Sequence, residues 1–237
     1  MRSSAASDVY KRQTGFPSSN LLAGTFNKSL AYKVGKVLAD ESKENGISIN
    51  LGPGGNLHRN ILCGRHPEYY SEDPILTGTL MAYQARGLEE NGVIATYKHL
   101  IANNMEFERK SAHGIIDENT LRDLYLRVFD KAFSLYKPGC VMTSYNPVNG
   151  IYPCENSALL NDLLRGEWGF DGFVMTDWGS YDTADSIRSV CAGTNLLTPG
   201  SKKHFRMILK AVKRNEISKA ALQHSVKQIV KVLVRCI

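Results

Sequence analysis

Apolar residues along this chain follow two alternating rhythms. From Ser29 to Asn45 they return every three or four positions (Leu30, Val34, Val37, Leu38), which predicts a helix with Gly46 as its C-cap. Ile47 to Leu51 then forms a short apolar run, stopped by Gly52-Pro53-Gly54-Gly55. The same unit recurs. Pro74 to Glu90 predicts a helix capped by Asp73, followed by Gly92 and a strand from Val93 to Tyr97. Asn119 to Leu135 predicts a helix, followed by Pro138-Gly139 and a strand from Cys140 to Ser144. Ser157 to Arg165 predicts another, followed by the turn Gly169–Gly172 and a strand from Phe173 to Thr176. A helix over Thr183–Val190 and a short strand near Asn195-Leu196-Leu197 come next, then helices over about 202–214 and 218–235. Short apolar strands alternating with helices imply a parallel α/β sheet with right-handed crossovers.

In the four units before Thr183, polar residues follow the strand directly: Asn56-Leu57-His58-Arg59, Lys98-His99, Tyr145-Asn146 and Asp177-Trp178. Parallel strands bring such positions to one rim, where α/β barrels carry their sites. Asp177 is the most informative of them. An apolar strand carries it to the edge of a core, where a carboxylate is costly unless it is paired or in use.

Composition narrows the reading without redirecting it. The 237 residues are 43% hydrophobic and 22% charged, ordinary for a globular chain. The net charge of +6 is dispersed, densest from Lys202 to Arg235, and fits a solvated helix face rather than a nucleic-acid footprint. No run approaches the ~20 apolar residues of a membrane span, and the start lacks the apolar middle of a signal peptide. The five cysteines (63, 140, 154, 191 and 236) are widely spaced, with no CxxC pair. That suggests neither a zinc site nor a disulfide framework, and it points to reduced thiols in a cytoplasmic protein. No metal or cofactor is expected. Neither nucleic acid nor a membrane is expected as a partner. Residues 1–13 have no apolar period and read as a start foreign to the domain.

Each candidate has a plainer reading. Lys98-His99 in isolation is a solvated lysine beside a half-buried histidine; at a rim the pair can donate to hydroxyls or a phosphate. Arg59 and Arg65 can neutralise a carboxylate or grip paired hydroxyls with a rigid fork. Gly52-Pro53-Gly54-Gly55 lacks the Gly-Lys-Ser/Thr of a phosphate cradle and reads as a tight turn. Trp178 is core in most settings, but beside a rim carboxylate its face can stack on a sugar ring. Glu106-Phe107-Glu108-Arg109 reads as a loop with internal ion pairs.

An ordered series of runs resembles the N-terminal catalytic domain of glycoside hydrolase family 3, the β-glucosidase type. It begins with Thr14-Gly15-Phe16-Pro17-Ser18, Leu51-Gly52-Pro53-Gly54 and Leu57-His58-Arg59-Asn60. Cys63-Gly64-Arg65, Tyr70-Ser71-Glu72-Asp73-Pro74 and Lys98-His99 with Ala102-Asn103-Asn104 follow. Met142-Thr143-Ser144-Tyr145-Asn146, Cys154-Glu155-Asn156, Trp168-Gly169-Phe170-Asp171-Gly172 and Thr176-Asp177-Trp178 complete it. The resemblance implies a TIM-like (β/α) barrel over residues 14–237, incomplete at the N-terminal end and without the family's C-terminal sandwich domain. It implies Asp177 as nucleophile, glycone contacts from Arg65, Lys98, His99 and Tyr145, Met142 lining the same pocket, and Trp178 near the aglycone. It also implies retaining hydrolysis of terminal β-D-glucosyl residues. Such chemistry needs two carboxyl groups about 5–5.5 Å apart.

Two elements of the family pattern have no match. One is the Asp-Gly-Pro motif upstream of Thr14, whose Asp binds sugar hydroxyls. The other is the acid/base Glu, which the family usually places after the barrel. The histidine loop of the hexosaminidase branch is also replaced, by Lys98-His99-Leu100-Ile101-Ala102-Asn103-Asn104, and Asn195 stands where the family usually has Asp. Glu106, Glu108 and Asp117 are the first acids to test should this segment hold its own proton donor. Alternatives are a catalytically silent sugar-binding fragment, β-xylosidase-type specificity, and a Schiff-base aldolase built on Lys98.

Overall fold

A computed structural model describes residues 14–236; the reading of residues 1–13 as a foreign start lies outside the described residues. Two helices open the described chain, α1 (Ser19–Gly24), which the periodicity does not announce, and α2 (Lys28–Glu44). β1 follows (Ile49–Asn50), then α3 (Pro74–Glu89) and β2 (Ile94–Leu100). The next helix starts as α4 (Glu118–Thr120), widens into a π-helical stretch, Leu121–Leu126, and continues as α5 (Arg127–Leu135). β3 (Cys140–Thr143), a second π-helix (Ala158–Glu167) and β4 (Phe173–Met175) come next. Three helices close the chain: α6 (Ser186–Cys191), α7 (Lys202–Lys213) and α8 (Lys219–Leu233).

The four strands form one sheet in the order β1-β2-β3-β4, every pair parallel. Strand-helix alternation with sequential parallel pairing is the construction of a (β/α) barrel, here a sector of one. In register, Ile49 pairs with Ile94, Thr96 with Cys140, and Met142 with Met175. The expected fifth strand is reduced to a single parallel bridge between Met175 and Leu196, because the backbone turns away after one pairing. β1 is likewise shorter than its apolar run, since the Gly-Pro-Gly-Gly turn takes over after Asn50.

Side chains alternate between the two faces of a strand, and two cores result. Ile49, Ile94, Cys140, Met142, Phe173 and Met175 form the smaller buried cluster on one face. Ala95, Tyr97, Val141 and Val174 point the other way into the larger core, packed against the helices. There Phe133 sits edge-on to Tyr97 at 5.2 Å and stacked on Trp168 at 5.3 Å between ring centres. Such aromatic pairs add about 0.5–1.5 kcal/mol each beyond burial. α2 crosses α3 closely because two glycines face each other's backbone. A Cβ on Gly35 would intrude on the Gln84 carbonyl, and one on Gly87 on the Tyr32 carbonyl.

Side chains begin the helices where the sequence places polar caps. Asn27 accepts from Leu30 N (3.0 Å) and Asp73 from Leu76 N (2.6 Å). Asp185 accepts from Ile187 N and Arg188 N, which sets the start of α6 at Ser186 rather than Thr183; a 3-10 turn, Ser180–Asp182, fills the interval. The π winding at Leu121–Leu126 and Ala158–Glu167 is not signalled by apolar spacing, because a stripe at i and i+4 fits either helix. The two stretches face each other across a cavity of about 310 Å³. Among the described residues no helix is long and apolar enough to cross a membrane.

Candidate active site

The C-terminal ends of the strands bring the polar residues together, as the rim argument requires. β2 carries Lys98 and His99, both buried, and the turn after β1 locks them in place. The Gly55 N–H donates to the Lys98 carbonyl (2.6 Å). Asn56 then clasps the His99 backbone from both sides: its Oδ1 accepts from His99 N (2.9 Å) and its Nδ2 donates to His99 O (2.9 Å). The Ser144 hydroxyl, past β3, bonds the Ile101 backbone and ties the next two strand ends to each other.

Asp177 is fixed just beyond β4. Thr198 N donates to Thr176 Oγ1 (2.9 Å), Ser180 N to Asp177 O (3.1 Å), and Gly179 N to Thr198 O (2.9 Å). One carboxylate oxygen, Oδ1, accepts from the Trp178 N–H at 2.7 Å. The other, Oδ2, is buried and has no hydrogen-bond partner. It lies 3.4 Å from His99 Nε2 and 3.8 Å from Arg65 Nη1.

The state of His99 explains that orphan oxygen. Arg65 Nη2 stands 3.0 Å from His99 Nε2, and a guanidinium has only donors, so Nε2 accepts. The ring proton then sits on Nδ1, facing Tyr69 Oη (3.1 Å) and Asn56 Oδ1 (3.3 Å). Burial, reinforced by the charges of Arg65, Lys98 and Arg109, holds His99 well below the usual histidine range. In this tautomer Arg65 occupies the Nε2 lone pair, and the neutral ring has no proton there to give Asp177.

The surrounding charges are mostly paired. Glu68 accepts from Arg65 Nε (2.6 Å) and lies 3.6 Å from Lys98 Nζ. Glu106 holds Arg109 (2.7 Å), and its Oε1 is 4.0 Å from Arg65 Nε. Lys110 bonds Asp182 (2.7 Å). Tyr145 donates to the Trp178 carbonyl (2.6 Å), beneath the Arg109 guanidinium 4.6 Å from the ring centre. Burial and then the Asp177 charge raise the Tyr145 hydroxyl above the usual phenol range.

Arg65, His99, Tyr145, Trp178 and Asp177 are therefore in one network, and Lys98 joins it through Glu68. Trp178 leaves much of its ring exposed. Met142 is seated in the smaller apolar cluster with Met175. Arg59 is exposed. Of the three acids considered as internal proton donors, Asp117 caps α4 and Glu108 is exposed; Glu106 alone borders Arg65.

Sequence reasoning missed Glu68 and Tyr69, and treated Glu106 and Arg109 as an ordinary loop. Glu68 had a signal: it stands three residues after Arg65, the spacing at which a helical turn pairs charges. Here that turn is the 3-10 segment His66–Glu68. Among the described residues no cluster of His, Cys, Asp and Glu could hold a metal ion.

Comparison with known proteins gives one consistent picture. The profile described as the glycosyl hydrolase family 3 N terminal domain matches residues 6–232. A thermostable beta-glucosidase B from Acetivibrio thermocellus is 41% identical over 221 residues, covering 93% of this chain and 29% of its own. A probable beta-glucosidase J from Neosartorya fischeri is 39% identical over 220 residues, covering 92% of this chain and 25% of its own. The structure of beta-glucosidase 3B from Thermotoga neapolitana in complex with glucose superposes with a TM-score of 0.90 at 41% identity. It covers 94% of this chain and 32% of that one. The chain thus spans about a quarter to a third of the length of these relatives.

Proposed function

The chain belongs to glycosyl hydrolase family 3, and from that premise we propose that residues 14–237 form one barrel domain carrying the nucleophile side of a retaining β-glucosidase site. Asp177 attacks the anomeric carbon and holds the glycosyl group as a covalent ester, which water then cleaves. The observation that carries this reading is the free oxygen of Asp177. A buried carboxylate oxygen without a donor, flanked by an arginine and an accepting histidine nitrogen, is costly to maintain. It is also geometrically free to form a bond. Lys98 and Arg65 supply donors for sugar hydroxyls, and the exposed ring of Trp178 offers a face to the leaving group. The substrate class is a β-glucoside, in keeping with the names of the relatives and with the glucose in the Thermotoga structure.

No residue of this chain is assigned to the general acid. Protonation of the leaving group contributes ~10²–10⁴-fold. The chain alone should therefore release dinitrophenolate from a dinitrophenyl β-glucoside, which needs no proton, and leave cellobiose nearly untouched. Dinitrophenolate release that persists in Asp177→Asn would reject the assignment. Rapid cleavage of cellobiose would show that a proton donor lies within these residues, with Glu106 the first to replace. Binding of a glucose-like inhibitor without any turnover of the activated glucoside would favour a sugar-binding role instead.

A further inference from the structure

Lys98 is an ammonium with almost no access to water. Such a group is costly unless a counter-charge stands beside it. The charged groups around it are Glu68, Arg65 and Asp177, with the neutral ring of His99 next in sequence. Among the described residues Glu68 alone comes within ion-pair distance of Lys98, at 3.6 Å. The same carboxylate takes the Nε edge of Arg65 with its other oxygen, at 2.6 Å. A guanidinium is planar, so fixing Nε fixes the direction of both Nη atoms. With Nε held on Glu68, Nη2 meets His99 Nε2 and Nη1 points toward Asp177 Oδ2.

We propose that Glu68 is a positioning residue of the sugar pocket: one carboxylate that neutralises the buried Lys98 ammonium and turns Arg65 so that its two ends face His99 and Asp177. Three consequences follow. Lys98 stays a charged donor rather than a free amine. Arg65 dictates the Nδ1–H tautomer of His99. His99 in turn cannot cap Asp177 Oδ2, which stays open. The nearby acids stand further off: Glu106 bonds Arg109 through Oε2 while its Oε1 is 4.0 Å from Arg65 Nε, against 2.6 Å for Glu68, and Asp182 is held by Lys110. Burial lowers Lys98 from the usual lysine range while the Glu68 charge opposes that fall; Glu68 itself is held below the usual carboxylate range, the Lys98 charge and the Arg65 hydrogen bond outweighing burial.

This inference deepens the glucosidase reading and rests on it for its purpose, but its test does not need turnover. Lysine side-chain NMR on the intact chain, with the signal missing in Lys98→Met as its assignment, gives the titration midpoint of Lys98. An opposite charge at this distance moves a midpoint by about 1–3 units. Glu68→Gln should therefore lower the Lys98 midpoint by about one unit or more, a tenfold loss in proton affinity. It should also blur the His99 ring nitrogens from a single Nδ1–H form into a mixture. Glu68→Asp should recover part of both. Coupling is reciprocal, so Lys98→Met should raise the midpoint of the Glu68 carboxyl; this arm decides the matter if Glu68→Gln does not fold. A Glu68 that merely braces its loop would lower stability and move neither titration, and that result overturns the proposal. Failure of glucoside turnover or labelling would reject the glucosidase reading while leaving these titrations standing.

Discussion

Replacing Asn56 by alanine tests how the fold holds its site. Asn56 and His99 are both buried, at 3% and 1% exposure, so water cannot substitute for a lost partner. The substitution strips the His99 N–H of its acceptor and the His99 carbonyl of its donor, both now at 2.9 Å. A buried polar group left unpaired costs about 1–3 kcal/mol, so two cost about 2–6 kcal/mol. Domains of this kind hold only about 5–15 kcal/mol in total. The upper end of the range would leave the variant close to unfolded at room temperature. Asn56→Asp should not rescue it, because the new oxygen cannot donate to the carbonyl and brings a buried charge. Urea unfolding followed by circular dichroism measures the difference, provided the slope is the same for both proteins. An Asn56→Ala variant within ~0.5 kcal/mol of the parent chain would refute the reasoning, since that is the size of an ordinary surface change.

Three further outcomes follow from the same structure. Gly35→Ala should destabilise by about 1–3 kcal/mol or more, because the new methyl group meets the Gln84 backbone at the α2–α3 crossing; urea unfolding checks it. Acidification should weaken the fold: His99 is held well below its unfolded value by burial, so below pH ~6.5 the unfolded chain binds a proton that the folded chain does not, costing up to ~1.4 kcal/mol per pH unit. His66, lowered by burial and by His58, acts in the same direction, and unfolding at a series of pH values should lose much of the slope in His99→Gln. Tyr145→Phe removes the bond to the Trp178 carbonyl and should cost about 1 kcal/mol while raising the mobility of the indole, read by its fluorescence anisotropy.

Much of this architecture is legible in the residues alone, for reasons that differ by element. The spans of α2, α3 and β3 follow from apolar period bounded by a Gly46 stop, an Asp73-Pro74 start and a Pro138-Gly139 break. Those signals act locally, so they survive into the fold. The rim is legible because parallel strands leave no choice about which ends gather. The site's wiring is not. Glu68 and Arg109 sit in loops whose course depends on contacts with residues 30 or more positions away, such as Arg65 with His99 and Lys110 with Gly179. Asn56 could be placed near the rim but not assigned to the His99 backbone. The π-helical stretches escape for another reason: their apolar stripe fits an α-helix equally well. The fifth strand fails to extend beyond Leu196 because Thr198 bonds Thr176 through side chains instead of continuing the ladder.

The central claim is that the open oxygen of Asp177 forms a bond to the sugar. Treating the chain with a dinitrophenyl 2-deoxy-2-fluoro-β-glucoside slows the second step and should leave a fluoroglucosyl ester in place. Digestion and tandem mass spectrometry then locate it. The added mass should fall on the peptide containing Asp177, with no label in Asp177→Ala. A label on another carboxylate, or undiminished labelling of that variant, would contradict it.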